Sequence, residues 1–379
     1  MRLSLLTTLA CLAFSHAGQF KGIYDTWSFD LGSYGQYPDW MGNMKDDVLL
    51  SQLVIPGTHN SMTDRITNDL FQSQNVPLAR QLEGGIRYID VSCRYIDYNM
   101  MVYNGLVNTG YSLGDVLTTM YDFLNNHPSE TIILRIQKSA LGDSEAFLSF
   151  IERYFVPGIE SDNQATQHIY SRNANDFTIP TLGELRGKIL ILQDFETSPP
   201  GRYGIPWNSH SVSSYSHRLA LASGRLFLGL KWAGIKDNLR YIPSRYSNML
   251  RITHTTAGFG VRPIKIAAKK GYKYGMNKFL GRYLLYGEQD CYGVVVMDFP
   301  GNILIEELLR RNNKHQTSEP APVVADELDF DTVSVDEAPP VEFSDDEASD
   351  DEAPPFEFSG DEASDDETSD NKLSPTLVI

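Results

Sequence analysis

Cysteine is scarce in this chain of 379 residues, which has only Cys11, Cys93 and Cys291. Small secreted domains held together by disulfides need several cysteine pairs, so this class of protein is excluded. One bridge between Cys93 and Cys291 is conceivable, but they lie at opposite ends of two non-adjacent predicted strands, and we expect no bridge. The sequence also has no Asn-x-Ser/Thr sequon, so N-glycosylation is not expected.

Long hydrophobic runs are lacking too, apart from one at the N-terminus. Residues 1–17 combine an early arginine, an apolar run from Leu3 to Phe14 and small residues before a cleavage site preceding Gly18. This arrangement is typical of a secretory signal peptide. The alternatives are a membrane anchor or a buried first helix, but the run is short for crossing a bilayer. We therefore expect a secreted, soluble protein.

Positive charge is in deficit, because 32 Lys and Arg face 49 Asp and Glu and the formal net charge is −17. The deficit lies in residues 316–379, which contain 21 acidic residues and a single basic one, Lys372. Residues 1–315 hold 31 basic and 28 acidic residues. The chain is thus a nearly neutral body with an acidic tail, and nucleic acid is not an expected partner.

The acidic tail is a direct repeat. Residues 336–350, DEAPPVEFSDDEASD, are followed by residues 351–365, DEAPPFEFSGDEASD, which differ at two positions. Such an acidic, proline-containing segment buries too little apolar surface to offset the entropy of ordering, so we expect residues 316–379 to be disordered. A solubilising role is the simplest interpretation. The alternatives are partner binding through Phe343 and Phe358, or phosphorylation of the serines that precede acidic residues.

Residues 18–315 form the predicted folded domain, in which apolar, β-rich segments alternate with helical patterns. Several segments, such as ILILQ and VVVMDF, are apolar on both faces, which is typical of strands covered on both sides. Strand followed by helix, repeated about seven times, indicates an α/β fold with a parallel barrel. The predicted strands are 50–55, 86–96, 100–103, 131–136, 188–194, 225–230 and 293–299, and the predicted helices are 78–82, 113–126, 144–155, 262–278 and 302–311.

An imidazole and a carboxylate lie at the ends of two predicted strands. His59 follows the segment LVIPGT, and Asp298 ends the segment VVVMD. A carboxylate in an apolar strand needs a hydrogen-bonding or charged partner. An imidazole can be that partner, because the carboxylate orients the ring and stabilises its charged form. In a parallel barrel both groups lie at the C-terminal face, where catalytic groups are found. The sequence thus favours a pair of His59 and Asp298, the alternative being two unrelated polar groups at loop edges.

Two other predicted strands carry polar side chains to the same region. Asp90, Ser92 and Arg94 alternate along one strand, so their side chains share one face. The next predicted strand ends at Asn104. Arg94 has two interpretations, as a group that reaches a bound phosphate or as a buried structural arginine paired with Asp90.

Five segments of the chain, in this order, resemble the phosphatidylinositol-specific phospholipase C X-domain family in its secreted bacterial and fungal form. They are IPGTHNS, GGIRYIDVSCR, NNHPSETIIL, PTLGELRGKILIL and VVVMDFPG, within residues 50–312. The resemblance implies an irregular TIM barrel. It also implies a reaction in which the inositol 2-hydroxyl attacks the phosphodiester, releasing diacylglycerol and leaving a cyclic inositol phosphate. The implied partner is an inositol phospholipid or a glycosylated inositol phospholipid, with peripheral membrane contact, whereas the oligomeric state is not indicated.

The resemblance also assigns roles to single residues. His59 matches the family's general base and Asp298 its supporting carboxylate. Ser92 stands where bacterial-type members have a phosphate-binding Arg, and Asn104 stands where the family has a second His that serves as general acid. An amide cannot deliver a proton, so the implied catalytic set is incomplete.

The eukaryotic members of this family bind Ca²⁺ in place of the arginine. Asn60 and Asp90 match two of their ligand positions, but Ser92 and Gln137 stand where two carboxylates are expected. Neutral oxygens are weak replacements for carboxylates on a hard cation. We therefore expect no metal and no other cofactor.

Two classes of function follow from the incomplete set. Either other residues replace the missing groups in a phosphodiesterase, or the barrel is a non-catalytic module that binds a lipid headgroup, a glycan or a partner protein. Arg94 is a candidate for the missing cation. His210, His217 and His254, in predicted loops, are candidates for the missing acid.

Overall fold

The structure is a computed structural model that describes residues 27–29, 31, 36–155, 163–216, 228–240, 248–258, 260–268, 275–287 and 291–317. Every described residue belongs to the first of the two units into which the chain divides, Met1–Pro322. The predicted signal peptide and all but the first two residues of the predicted tail lie outside the described residues, so both stay predictions.

A sheet of ten strands forms the centre of the first unit. Its strands are β1 (Ile55–Thr58), β2 (Tyr88–Ile96), β3 (Asn99–Asn104), β4 (Val107–Ser112), β5 (Thr131–Lys138), β6 (Lys188–Asp194), β7 (Ile205–Pro206), β8 (Val212–Ser216), β9 (Leu250–His254) and β10 (Val294–Met297). Eight of them pair in parallel in the order β7-β6-β5-β2-β1-β10-β9-β8. The structure thus confirms the predicted α/β parallel barrel, which is nearly closed.

β2 extends beyond the barrel into an antiparallel hairpin. β3 pairs with the outer part of β2, with Ser92 opposite Tyr103, and β4 pairs with β3. At the turn between β2 and β3, Asp97 and Tyr98 have φ angles of 49° and 60°, as the tight turns of twisted hairpins require. The hairpin brings Asn104, at the end of β3, next to the rim of the barrel.

Helices cover the outside of the barrel. They are α1 (Leu78–Glu83), α2 (Leu113–Asn126), α3 (Ser144–Phe155), α4 (Asn163–His168), α5 (Leu182–Leu185), α6 (Leu228–Arg240), α7 (Pro263–Ala267), α8 (Met276–Tyr286) and α9 (Asn302–Arg310). In α2, Ser112 caps the first turn by accepting a hydrogen bond from the backbone of Asp115, and one apolar face is buried. Among the described helices, none is both long and apolar enough to cross a membrane.

The apolar core has two layers, which follow from the alternation of side chains along each strand. One layer fills the barrel and includes Ile55, Tyr88, Ile133 and Val296. The other lies between the sheet and the helices and includes Cys93, a residue of the outer face of β2. Both described cysteines are free thiols, as expected.

Three predicted elements differ from the structure. Residues 50–55 are not one strand, because Leu50–Gln52 form a 3-10 turn and β1 begins at Ile55. The apolar run predicted as a strand at 225–230 instead enters α6 at Leu228, residues 225–227 being outside the described part. The helix predicted at 262–278 is two shorter helices, α7 and α8.

Candidate active site

A layer of polar side chains closes the C-terminal end of the barrel. On each of five strands, an inward-facing apolar or aromatic residue is followed two places later by a polar residue. Because side chains alternate between the two faces of a strand, this polar residue also points inward. This polar layer comprises Asp90 on β2, Arg135 on β5, Asp194 on β6, His254 on β9 and Asp298 after β10, together with His59 after β1.

His59 and Asp298 form the expected pair. β1 and β10 are hydrogen-bonded neighbours with Thr58 opposite Met297, so the residue after each strand lies beside the other. His59 Nδ1 is 2.9 Å from Asp298 Oδ1. The carboxylate is 1% exposed, and its second oxygen accepts a hydrogen bond of 2.8 Å from the backbone N–H of Ala257. Because an ionised carboxylate can only accept, Nδ1 carries a proton and Nε2 remains for a substrate.

The pair also shifts the protonation of His59. Burial opposes a charge on the ring, but the charge of Asp298, its hydrogen bond and a contribution from Asp90 outweigh burial. The net effect raises the pKa of His59 above its usual value. The ring is therefore stabilised as an imidazolium, the form that a general base takes after it accepts a proton.

Two glutamines hold the loop that carries His59, and the sequence analysis did not single them out. Gln74 Nε2 donates to the carbonyl oxygens of His59 at 2.9 Å and Met297 at 3.0 Å, which ties the ends of β1 and β10 together. Gln81 is fully buried and accepts a hydrogen bond of 2.7 Å from Thr58 Oγ1. Gln74 lies in a loop and Gln81 in α1, and a glutamine in either place is too common to reveal this role from sequence.

Asp90 pairs with Arg135 and not with Arg94, as one of the two interpretations of Arg94 had it. Arg135 lies opposite Asp90 in the register of β2 and β5, and its Nη1 is 2.9 Å from Asp90 Oδ1. Its Nη2 is 2.6 Å from Asp194 Oδ2, and its guanidinium lies 4.1 Å from the centre of the Trp207 ring. Burial alone would lower the pKa of Arg135, but the two carboxylates outweigh it and raise that pKa. The signal that could have found Arg135 is a lone arginine inside the apolar strand TIILRIQ.

Arg94 belongs to the hairpin. Its Nη2 donates to the carbonyl oxygen of Gly105 and to Ser139 Oγ, both at 3.2 Å. Its guanidinium lies 4.1 Å from the centre of the Tyr103 ring. Arg94 therefore ties β2 to β3 and to the end of β5, and these contacts hold it as a structural residue.

Ser92 and Asn104, which the resemblance places where the family has its cation and its acid, are both uncharged side chains. Ser92 is half-buried and lies between Tyr103 on β3 and Gln137 on β5. Asn104 Nδ2 donates a hydrogen bond of 2.7 Å to the carbonyl oxygen of Phe71. Asn104 therefore fastens the hairpin to the loop that follows β1, and it has no proton to give to a leaving group.

The weak Ca²⁺ candidates do not make a cation site. Asn60 is a half-buried residue of the turn after His59, with a φ of 44°, and the carboxylate of Asp90 is engaged by Arg135. Within the described part of the chain, no three His, Cys, Asp or Glu side chains form a group that could hold a metal ion. A cation at Asp90 would have to displace a guanidinium, so these residues do not fit Ca²⁺.

The three histidines considered as replacements for the acid differ in their positions. His254 is not in a loop, as the sequence suggested, but ends β9, is 7% exposed and has its ring centre 6.2 Å from that of His59. Burial, with the neighbouring His59, Arg135 and Lys231, lowers the pKa of His254 to about 3, against the opposing effect of Asp90. His210 is exposed in the loop after β7. His217 lies outside the described residues.

The chain is similar in sequence to known proteins. Residues 50–194 match the model of the family described as phosphatidylinositol-specific phospholipase C, X domain. A 1-phosphatidylinositol phosphodiesterase of Listeria monocytogenes is 28% identical over 301 residues, which cover 72% of this chain and 84% of that protein. A 1-phosphatidylinositol phosphodiesterase of Staphylococcus aureus is 30% identical over 159 residues, which cover 40% of this chain and 49% of that protein.

Solved structures give the same result for the fold. The phosphatidylinositol-specific phospholipase C of Listeria monocytogenes superposes with a TM-score of 0.58 at 25% identity, covering 73% of this chain and 99% of that one. A mutant of the Staphylococcus aureus enzyme superposes with a TM-score of 0.60 at 17% identity, over 74% and 99% of the two chains, and supports the fold alone. Residues 50–194 thus match the phosphatidylinositol-specific phospholipase C X domain, and the described barrel is similar in fold to these enzymes.

Proposed function

We propose that this chain is a secreted phosphodiesterase that cleaves an inositol phospholipid or a glycosylated inositol phospholipid. The observation that carries the proposal is the pair of His59 and Asp298, 2.9 Å apart at the C-terminal end of the barrel. The names of the bacterial relatives supply the substrate class. Secretion rests on the N-terminal segment, residues 1–17.

His59 acts as the general base in this proposal. Its Nε2 takes the proton of the attacking inositol hydroxyl, and Asp298 stabilises the imidazolium that forms. Since Ala257 and His59 occupy both oxygens of Asp298, the carboxylate is fixed before the substrate arrives. The base is thus preorganised, which removes one cost from the transition state.

The reaction proceeds without a resident metal in this proposal. Arg135 is held between Asp90 and Asp194, so its charge is already balanced by two carboxylates. Ser92 and Asn104 bring neither a charge nor a transferable proton. Losing a general acid costs on the order of 10²- to 10⁴-fold in rate, so turnover is expected to be slow unless another residue donates the proton.

An activity assay tests the proposal. Purified protein is offered phosphatidylinositol in the presence of Ca²⁺ or of a chelator, beside the variants His59→Ala and His210→Ala. His210 is an exposed histidine and serves as the matched control. We expect turnover that is equal with Ca²⁺ and chelator, kept in His210→Ala and lost in His59→Ala. Turnover that survives in His59→Ala contradicts the role of the base.

The second candidate function is a binding module on the same barrel, favoured by Ser92 and Asn104. It predicts that the wild-type protein binds phosphatidylinositol vesicles but shows no turnover above His59→Ala. Vesicle sedimentation beside the activity assay separates the two functions.

A further inference from the structure

The site lacks a proton donor where the resemblance places one, but a second imidazole lies on the opposite side of Asp298. In the barrel, β10 separates β1 from β9, so His59 and His254 approach the same region from two sides of Asp298. Their ring centres are 6.2 Å apart and their planes meet at 88°. Two imidazoles at this separation can contact two different oxygens of one phosphodiester.

The carboxylate of Asp298 joins His59 to the loop that follows His254. Its Oδ1 contacts the ring of His59, and its Oδ2 accepts from the backbone N–H of Ala257, three residues after His254. Thr255, the residue after His254, donates its backbone N–H to Val296 on β10 at 3.0 Å. His254 is therefore the last residue of a strand and His59 directly follows one, so both rings are held in place, as a preorganised pair of catalytic groups requires.

The ring of His254 is available to a ligand. The side chain is 7% exposed, and it forms no hydrogen bond with any residue that the structure describes. Its recorded ring contact is the one with His59. A substrate in the barrel mouth can therefore reach its nitrogens without breaking a hydrogen bond to a described residue.

We propose that His254 is the general acid of this site, in place of the histidine that Asn104 has replaced. The inference rests on the proposed function. As the P–O bond to the inositol oxygen forms, His59 Nε2 takes the hydroxyl proton. As the P–O bond to the diacylglycerol oxygen breaks, His254 gives a proton to that oxygen. The products are a cyclic phosphodiester and a neutral alcohol, and solvent returns the proton from His59 to His254.

The bound substrate has to stabilise the protonated form of His254. Without substrate, burial and the charges of His59, Arg135 and Lys231 lower the pKa of His254 to about 3, and the charge of Asp90 opposes them. A phosphodiester anion within about 4–6 Å favours the charged ring and raises that pKa by about 1–3 units. The donor is then protonated in weakly acidic solution and loses its proton as the pH approaches neutrality. Since His59 must be neutral to accept a proton and its own pKa is raised above the usual value, kcat on the lipid levels off between the two pKa values and falls with rising pH above the pKa of His59.

Two substrates with different leaving groups distinguish a general acid from any other role of His254. A diacylglycerol oxygen needs a proton to leave, whereas 4-nitrophenolate leaves readily as the anion. Short-chain monomeric phosphatidylinositol and inositol 4-nitrophenyl phosphate are therefore compared in wild type, His254→Asn and the control His210→Asn. We expect His254→Asn to lose about 10²- to 10⁴-fold in kcat on the lipid and less than about tenfold on the nitrophenyl ester. Retained turnover of the ester also shows that the variant is folded.

The pH profile gives a second readout. In wild type the fall of kcat with rising pH is expected on the lipid and absent on the nitrophenyl ester. Equal kcat of His254→Asn and wild type on the lipid overturns the assignment. So does a loss of equal size on both substrates when thermal unfolding shows an intact fold.

The proposed function and the inference can fail separately. If wild type turns over neither substrate, the phosphodiesterase function is wrong and the acid with it. If wild type turns over the lipid and His254→Asn does so equally well, only the acid is wrong.

Discussion

Asp298 is the residue on which the rest of the site depends. Its two oxygens hold a ring on one side and a backbone amide on the other, so one buried carboxylate places both His59 and the loop after β9. The sequence predicted the contact with His59, because each residue is polar and ends an apolar strand. It could not predict the contact with Ala257, because a backbone amide leaves no trace in the pattern of residue types.

Removing the charge of Asp298 should change the titration of His59. In Asp298→Asn we expect the pKa of His59 to fall, since burial then opposes the charged ring without the carboxylate that outweighs it. Activity should fall by about 10²-fold or more because the base is no longer oriented. NMR titration of the ring signals measures the pKa.

The matched control for this variant is Asp39→Asn. Asp39 lies 2.8 Å from His127 in an exposed pair of the same kind, remote in sequence from the polar layer. It should leave activity and the titration of His59 unchanged. An unchanged pKa of His59 in Asp298→Asn contradicts the account.

Arg135 should be important for stability as well as for the site. In Arg135→Met the carboxylate of Asp90, 5% exposed, loses its cation, and we expect a loss of about 3–5 kcal/mol in the free energy of unfolding. The double variant Arg135→Met with Asp90→Asn should regain part of that loss, because no unpaired charge remains buried. Urea denaturation of wild type and of each variant measures these free energies of unfolding.

The control is an exposed arginine in an ion pair. Arg202, 43% exposed, pairs with Glu152, 31% exposed, and Arg202→Ala should cost less than about 1 kcal/mol. Equal losses of stability for Arg135→Met and Arg202→Ala contradict the role given to the buried ion pairs of Arg135.

At the scale of elements, long segments with a clear period were predictable and short ones were not. The predicted strand and helix at 188–194 and 113–126 coincide with β6 and α2. β9 was missed, since the five residues LRITH contain an arginine and a histidine and lack an apolar run. Without β9 as a strand, the sequence could not bring His254 to the site. Conversely, the apolar run at 225–230 fits a strand or a buried helix equally well by period alone.

The contact between β1 and β2 depends on Gly57, which is two residues before His59. A Cβ at this position would lie 2.8 Å from Cδ1 of the fully buried Tyr88. We expect Gly57→Ala to cost about 1–3 kcal/mol in stability, as overpacked cores do, and to lower activity by moving the strand that carries the base. Thermal unfolding and the lipid assay measure the two effects.

Gly114→Ala is the control for Gly57→Ala. Gly114 lies in α2, where an added Cβ would meet its nearest neighbour at 3.4 Å, an ordinary contact. Alanine is the better helix former by about 1 kcal/mol, so this variant should be at least as stable as wild type. A stable and fully active Gly57→Ala contradicts the expected clash.

At the scale of the whole molecule, the acidic tail dominates the charge. Deleting residues 318–379 changes the formal net charge from −17 to +3, since all 21 acidic residues counted in the tail are among them. We expect the shortened chain to bind anionic vesicles more tightly than the full chain at low salt. Both should bind equally at high salt, because salt screens the interaction. Vesicle sedimentation over a series of salt concentrations checks this, and a difference that persists at high salt contradicts a purely electrostatic effect.

The most direct test of the account is the product formed from phosphatidylinositol. Phosphorus NMR of the reaction should show a cyclic inositol phosphate with wild type and with His210→Ala, because an internal hydroxyl attacks the phosphorus. With His59→Ala no cyclic product should form. A wild-type reaction without the cyclic product, or the same product at the same rate from His59→Ala, would contradict the claim that His59 and Asp298 form the catalytic base of this barrel.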